Sequence, residues 1–230
     1  MIPVAIVLAG ACIGLGLYLG GSPAGENTAA QQYAAAEPAE PADTTDQVRP
    51  VDGTDHIKGD IDADIVIVEY SDFDCPFCSR FHESMDQIVQ NNEDVAWVYR
   101  HFPLEQLHPQ ARAVAVASEC VADLGGNDAF WTFTDRYFEE RGAGNGAAHA
   151  ELIGELAIEA GVDSVAFASC FENGDTNAAV QEDIDNAVTT GGRGTPWSVV
   201  IGPSGATYPI NGAQPAATVD QLLEVIRSEG

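Results

Sequence analysis

The 230-residue chain predicts an α/β domain with a helical insertion, and three observations carry that reading. Residues 65–70, Ile-Val-Ile-Val-Glu-Tyr, form a nearly unbroken β-branched run, as expected of a strand covered on both faces. A helical pattern and a second strand follow closely, the order of a βαβ crossover. After a long stretch of purely helical patterning, the chain closes on two short strands and a helix.

Residues 2–21 carry no charge. Twenty helical residues span about 30 Å, the thickness of a bilayer core. A single membrane anchor is the favoured reading. A cleaved signal peptide competes, although the start lacks Lys and Arg. A lipidated Cys12 also competes, after the small residues Ala9-Gly10-Ala11 but without the usual leucine three before the cysteine. Residues 22–54 are rich in Ala, Pro, Glu and Thr without periodic apolar positions, and read as a disordered linker with a reach of roughly 30 Å.

The folded domain is expected over residues 55–230. Its first strand, 65–70, hands over to a helix over 76–90, with Pro76 in the first turn and Phe81, Met85, Ile88 and Val89 on one face. The second strand spans 95–102. Helices follow over 109–124, ended by Gly125-Gly126, and over 128–140, with Phe130, Trp131, Phe133, Tyr137 and Phe138 on one side. Further helices are expected over 148–160, 163–172 and 176–190. The whole insertion runs from about 107 to 192. Strands over 197–201 and 206–210 flank the turn Pro203-Ser204-Gly205, and a helix over 218–228 ends the chain.

The formal charge is −27, with 36 acidic and nine basic residues, of which only Lys58 is lysine. A chain so poor in cations has little with which to displace phosphate counterions, so nucleic-acid binding is excluded. Attachment to anionic lipid through a basic patch is excluded for the same reason. With 45% hydrophobic residues, disorder throughout is excluded too. An acid-rich, lysine-poor surface is expected of a protein working in molar salt, where the Debye length falls to about 3 Å.

Cys75-Pro76-Phe77-Cys78 stands where the first strand meets the helix. Free N–H groups and the helix dipole stabilise an anion there, so the Cys75 thiol should ionise readily and act as a thiolate nucleophile. Cys78 lies on the same helical face, placed to pair with it. Asp72 and Asp74 should oppose ionisation. Two other readings stand beside the redox one. Cys75, Cys78 and His82 could begin a zinc site, but no fourth ligand is evident. A purely structural Cys75–Cys78 bridge would close too short a loop to constrain the unfolded chain much.

Through these residues the chain resembles the DsbA-like thiol:disulfide oxidoreductases of the thioredoxin-fold superfamily, over about residues 57–230. The resemblance rests on Gly59-Asp60, Ala63, the run Glu69-Tyr70-Ser71-Asp72-Phe73-Asp74 into the cysteine motif with Ser79-Arg80-Phe81, and Gly194-Thr195-Pro196 before the third strand. The family's helical insertion separates its βαβ and ββα halves, as the helical block does here. The resemblance implies that Cys75 is the nucleophile and Cys78 the resolving cysteine. It implies that Thr195 and a cis Pro196 hold substrate backbone; a trans proline opening a strand is the alternative. Glu69 matches the family's buried acid, which would relay protons to Cys78; Arg100 is a candidate partner for it. Phe77 and Trp197 would line a substrate groove, although Trp197 could equally join the core. Some relatives carry a disulfide in the helical domain, which implies a Cys120–Cys170 bridge; two separate buried thiols are the alternative. Pro-Phe stands where strongly oxidising members carry Pro-His, which leaves a weaker oxidant and an open direction of electron flow.

The expected function is an extracytoplasmic enzyme, anchored by residues 1–21, or else secreted or lipid-anchored. It would introduce disulfides into exported proteins without metal or cofactor. Its redox partner would be a quinone-linked membrane protein. A reductase or isomerase is the first alternative, and a non-catalytic binding or assembly module the second.

Overall fold

The computed structural model describes residues 43–142 and 149–229. The expected anchor, Cys12 and most of the expected linker lie outside them. Among the described residues no helix is long and apolar enough to cross a membrane. Five strands make one sheet: β1 (His56–Lys58), β2 (Ile65–Ser71), β3 (Val95–His101), β4 (Trp197–Ile201) and β5 (Thr207–Asn211), in the spatial order β1-β3-β2-β4-β5. α1 (Pro76–Asn91) joins β2 to β3, which pair in parallel as the crossover predicts. The other three pairings are antiparallel.

Between β3 and β4 lie α2 (Ala111–Gly142), α3 (His149–Glu159), α4 (Ser164–Asn173) and α5 (Asn177–Thr189), and α6 (Ala216–Glu229) ends the chain. The two helices expected over 109–140 both lie within α2 and part at Gly126, whose φ of 80° is open to glycine. Asp163 caps α4 by accepting from the Val165 and Ala166 N–H groups at 3.1 and 2.9 Å.

The two sheet faces bury different things. Ile65 and Ile67 on β2 pack with Phe81 and Met85 of α1 and Leu223 of α6. Val68 and Tyr70 point the other way and pack with Val98, Trp197, Val199 and Ala187 of α5. This is the period-two alternation of a strand covered on both sides.

Two features depart from the sequence reading. β1, too short to show a pattern, adds an antiparallel edge to β3. The domain also begins before residue 55. Thr45 opens a 3-10 turn (Thr45–Gln47), is 2% exposed, and meets Thr207 through their hydroxyls at 2.8 Å. Arg100, fully buried, reaches back to the same segment. Its guanidinium donates to both Asp55 oxygens at 2.8 and 3.0 Å and to the Arg49 and Pro50 carbonyls at 3.1 and 3.2 Å. Residues 43–55 are thus held by polar partners distant in sequence. A reading of local apolar pattern does not register such contacts.

A second buried polar group ties β1 to β3 and α2. His56 and His101 both place Nε2 against the same Glu119 oxygen, at 2.7 and 2.8 Å. Against its own burial, the two imidazoles hold Glu119 below the usual carboxylate range.

Cys120 on α2 and Cys170 on α4 form a disulfide across a separation of 50 residues. A loop of that length stabilises by about 4 kcal/mol in the chain-entropy model. We expect the double variant Cys120→Ser, Cys170→Ser to lose about that much in chemical denaturation. Mass mapping of protein purified without reductant should recover the cross-linked peptide; two free thiols would refute the bridge.

Candidate active site

β2 ends at Ser71, and a tight turn carries the chain into α1. The Cys75 N–H donates to the Asp72 carbonyl at 3.1 Å, and the Asp74 N–H donates to the Asp72 side chain at 2.8 Å. Cys75 is therefore the N-cap residue of α1, in extended conformation, with Pro76 directly inside the helix. Pro76 has no N–H to leave unpaired there. The Cys75 carbonyl accepts the first helical bond, from Ser79, at 3.1 Å.

Cys75 is 5% exposed and Cys78 is fully buried, and both are free thiols. The Cys78 thiol, donating a hydrogen bond to the Cys75 sulfur, does most to favour the Cys75 thiolate. Thr195 and the N–H groups of Cys78 and Phe77 add to it, and against burial they bring Cys75 down to about 5. Burial pushes Cys78 well above the ordinary thiol range, and Cys75 and Glu69 push the same way. The two thiols thus differ sharply although three residues apart.

Asp72 and Asp74, expected to oppose ionisation of Cys75, also hold the site together. Both carboxylates are engaged elsewhere. Asp72 accepts from the Leu104 N–H at 2.8 Å and lies 2.9 Å from His108 Nδ1. Asp74 accepts from the Tyr137 hydroxyl at 2.8 Å and pairs with Arg141 at 3.3 Å.

Glu69 is fully buried on the same sheet face as the cysteines. Its Oε2 accepts from Trp97 Nε1 at 3.0 Å, and among the described residues Oε1 has no hydrogen-bond partner. Burial raises it to about 8, against the neighbouring Ser71 and Trp97. The Ser71 and Tyr99 hydroxyls are likewise buried without partners, and both lie close enough to influence this group. Neither was anticipated from sequence. Strand pairing is the signal that finds them: Ser71 is two residues on from Glu69, and Tyr99 stands opposite Glu69 in the β2–β3 register.

That register also corrects the proposed Glu69–Arg100 pair. Arg100 stands opposite Tyr70, one position out of phase, so it points to the other face and binds Asp55. Trp197 is corrected on the same ground. It is 8% exposed, packs among Val68, Tyr70 and Val199, and donates its indole N–H to Thr190 at 3.0 Å. It belongs to the core beneath α5, not to a groove beside Cys75. His82 does not join the cysteines; its Nε2 lies 2.8 Å from Asp135.

The Thr195–Pro196 peptide bond is cis, and the Thr195 carbonyl accepts from the Cys75 thiol at 3.5 Å. Phe77, within the motif, is 53% exposed, with the Arg80 guanidinium 4.7 Å from its ring. A groove of about 340 Å³ opens against Cys75, lined also by Pro76, Ser79, Arg80, Glu83 and Arg141. This constellation presents one ionised, nearly surface sulfur, a second sulfur behind it, and a protonated carboxyl below. It suits attack on, and resolution of, a disulfide.

A family model described as Thioredoxin matches residues 51–221. Among solved structures, Pseudomonas aeruginosa DsbA2 is similar at a TM-score of 0.63 and 27% identity, covering 77% of this chain and 97% of that one. Wolbachia pipientis α-DsbA1 shares the fold at a TM-score of 0.66 and 18% identity, covering 81% and 96%. Curated sequence relatives are matched only in part. The Na(+)/H(+) antiporter NhaA 1 of Mycolicibacterium vanbaalenii is 43% identical over 96 residues, which is 41% of this chain and 15% of that protein. The Na(+)/H(+) antiporter NhaA of Herminiimonas arsenicoxydans is 33% identical over 174 residues, 75% of this chain and 26% of that protein.

Two measurements follow from the ionisation of the site. Of the two motif thiols in the reduced protein, iodoacetamide should alkylate Cys75 alone, with a pH midpoint near 5; a midpoint above 8 would contradict the stabilised thiolate. Glu69 titrates at about 8 when folded and near 4.5 when unfolded, so native stability should fall as pH rises from 4.5 to 8. Glu69→Gln removes that loss. Its denaturation free energy should match the native protein's at pH 4 and exceed it by about 3 kcal/mol at pH 7.

Proposed function

The chain belongs to the Thioredoxin family, and on that premise we propose that this DsbA-like thiol:disulfide oxidoreductase acts outside the cytoplasmic membrane, introducing disulfides into exported proteins. The observation that carries this reading is the split between a Cys75 lowered to about 5 and a buried Cys78 raised well above the thiol range. A stabilised thiolate favours the reduced form of the enzyme, so its disulfide gives up oxidising equivalents readily. Phe77 has no side chain to help, but its backbone N–H does.

In the proposed cycle the enzyme starts with a Cys75–Cys78 disulfide. A substrate thiolate attacks the Cys75 sulfur, a mixed disulfide forms, and Cys78 departs as a buried thiolate. A proton must reach it, and Glu69, held protonated at neutral pH, is the nearby carboxyl to give one. A second substrate thiolate then attacks the substrate sulfur of the mixed disulfide. Cys75 leaves as a thiolate, and its low pKa makes it a good leaving group. The substrate has lost two electrons and the enzyme has gained them. Thr195 and cis-Pro196 would hold the substrate backbone beside Cys75, and Phe77 would offer an apolar contact at the rim. Reoxidation falls to a membrane partner of the quinone-linked kind. Anchoring through residues 2–21 and work in molar salt belong to the same reading, and rest on the charge-free N-terminal run and on the net charge.

Thiols trapped in living cells by acid quench and alkylation should show Cys75–Cys78 mostly oxidised. A mostly reduced pair would replace the oxidase reading by that of a reductase or isomerase.

A further inference from the structure

The 36 acidic residues outnumber the nine basic ones four to one, so every cation has carboxylates to choose from. Six of the nine take them. Arg49, Lys58, Arg100, Arg136, Arg141 and Arg227 all form ion pairs with Asp or Glu. Among the described residues, Arg80, Arg112 and Arg193 do not. Arg112 donates to the Gln181 side-chain amide at 2.8 Å, on the exposed side of α2 and α5. Of the other two, Arg80 lines the groove at Cys75 and Arg193 stands on the loop that carries Thr195.

Arg80 is two residues past Cys78 and lines the groove that opens on Cys75. Its guanidinium lies over the exposed Phe77 ring at 4.7 Å, a stacking that orders the side chain while leaving its N–H edge free. Arg193 is exposed on the loop before cis-Pro196, two residues from the Thr195 carbonyl that meets the Cys75 thiol. One of its N–H groups is bound to the Gly192 carbonyl at 3.1 Å, and the fork otherwise faces solvent. A peptide lying across Cys75 toward the cis-proline loop would meet the Arg80 guanidinium in the groove and pass the loop that carries Arg193. Two carboxylates line the same groove, Asp74, which is occupied by Tyr137 and Arg141, and Glu83.

We propose that the mouth of this site selects cysteine-bearing polypeptide segments with carboxylates flanking the cysteine, received by Arg80 and Arg193. This rests on the reading of Cys75 as the nucleophile. The domain as a whole carries a net −22 over residues 55–230 and repels such a segment at long range. In molar salt the Debye length falls to about 3 Å, so distant charges are screened while direct contacts at the mouth persist.

The test uses the full-length chain bearing Cys78→Ser, and short peptides whose cysteine carries a 5-thio-2-nitrobenzoate group as a mixed disulfide. The Cys75 thiolate attacks the peptide sulfur, an enzyme–peptide disulfide forms, and coloured thionitrobenzoate departs with the electron pair. One peptide has Asp and Glu around the cysteine; its match has Asn and Gln. Exposed ion pairs contribute roughly twofold to fivefold each, so the acidic peptide should react about fivefold faster. Adding Arg80→Gln and Arg193→Gln together should bring the ratio to one or below, whereas Arg112→Gln should leave it unchanged. The flanking charges also alter the peptide's own sulfur, but identically in every variant. Equal rates in the parent protein, a ratio that survives the double substitution, or an equal fall with Arg112→Gln would each overturn the proposal and leave the exchange reading intact. Failure of both peptides to couple at Cys75 would overturn the exchange reading, and the proposal with it.

Discussion

The site depends on one junction, where β2 stops and α1 starts. The turn is closed by hydrogen bonds within 72–75, and it leaves Cys75 outside the helix with the first free N–H groups aimed at its sulfur. Pro76 fits this place because a helix start needs no N–H from it. The same geometry drives Cys78 inward, one turn along and onto the apolar face of α1. A single backbone feature therefore separates two chemically identical thiols into one that ionises and one that does not. Displacing the turn would expose Cys78 and take the N–H groups from Cys75 together.

Beneath that junction the sheet sorts polar groups by parity. Odd positions of β2 deliver Glu69 and Ser71 to the cysteine side, where Tyr99 and Trp97 arrive from β3 in register. Even positions deliver Tyr70 to the α5 side, where Arg100, Asp55 and the 43–55 segment assemble. The Glu69 proton and the Arg100 charge are kept apart by the thickness of the sheet. Had they met, the carboxyl would be ionised and could not serve as a proton donor at neutral pH. The buried ion pair does structural work, while the unpaired acid keeps a proton.

The acidity of the chain also reads differently once contacts are known. Carboxylates beside the motif are also structural ties. Asp72 fixes the loop after β3, and Asp74 ties α1's approach to α2 through Tyr137 and Arg141.

By itself the sequence determined the order of the main elements from residue 65 onward, within a few residues, because each carries its own period: two for strands, 3.6 for helices. It also placed the cysteine pair at a strand-to-helix boundary, since Pro76 and the apolar spacing mark that boundary locally. Strand β1, the ordered 43–55 segment, and the faces taken by Arg100 and Trp197 were decided by tertiary structure. Parity and burial depend on which strand pairs with which and in what register, and those are contacts between residues far apart in the chain. For Trp197, sequence could offer only a place beside Pro196. The pairing with Tyr70 put its ring under α5. The low Cys75 and high Glu69 values likewise come from neighbours brought together by folding, from Thr195 at one end of the chain to Trp97 in the middle.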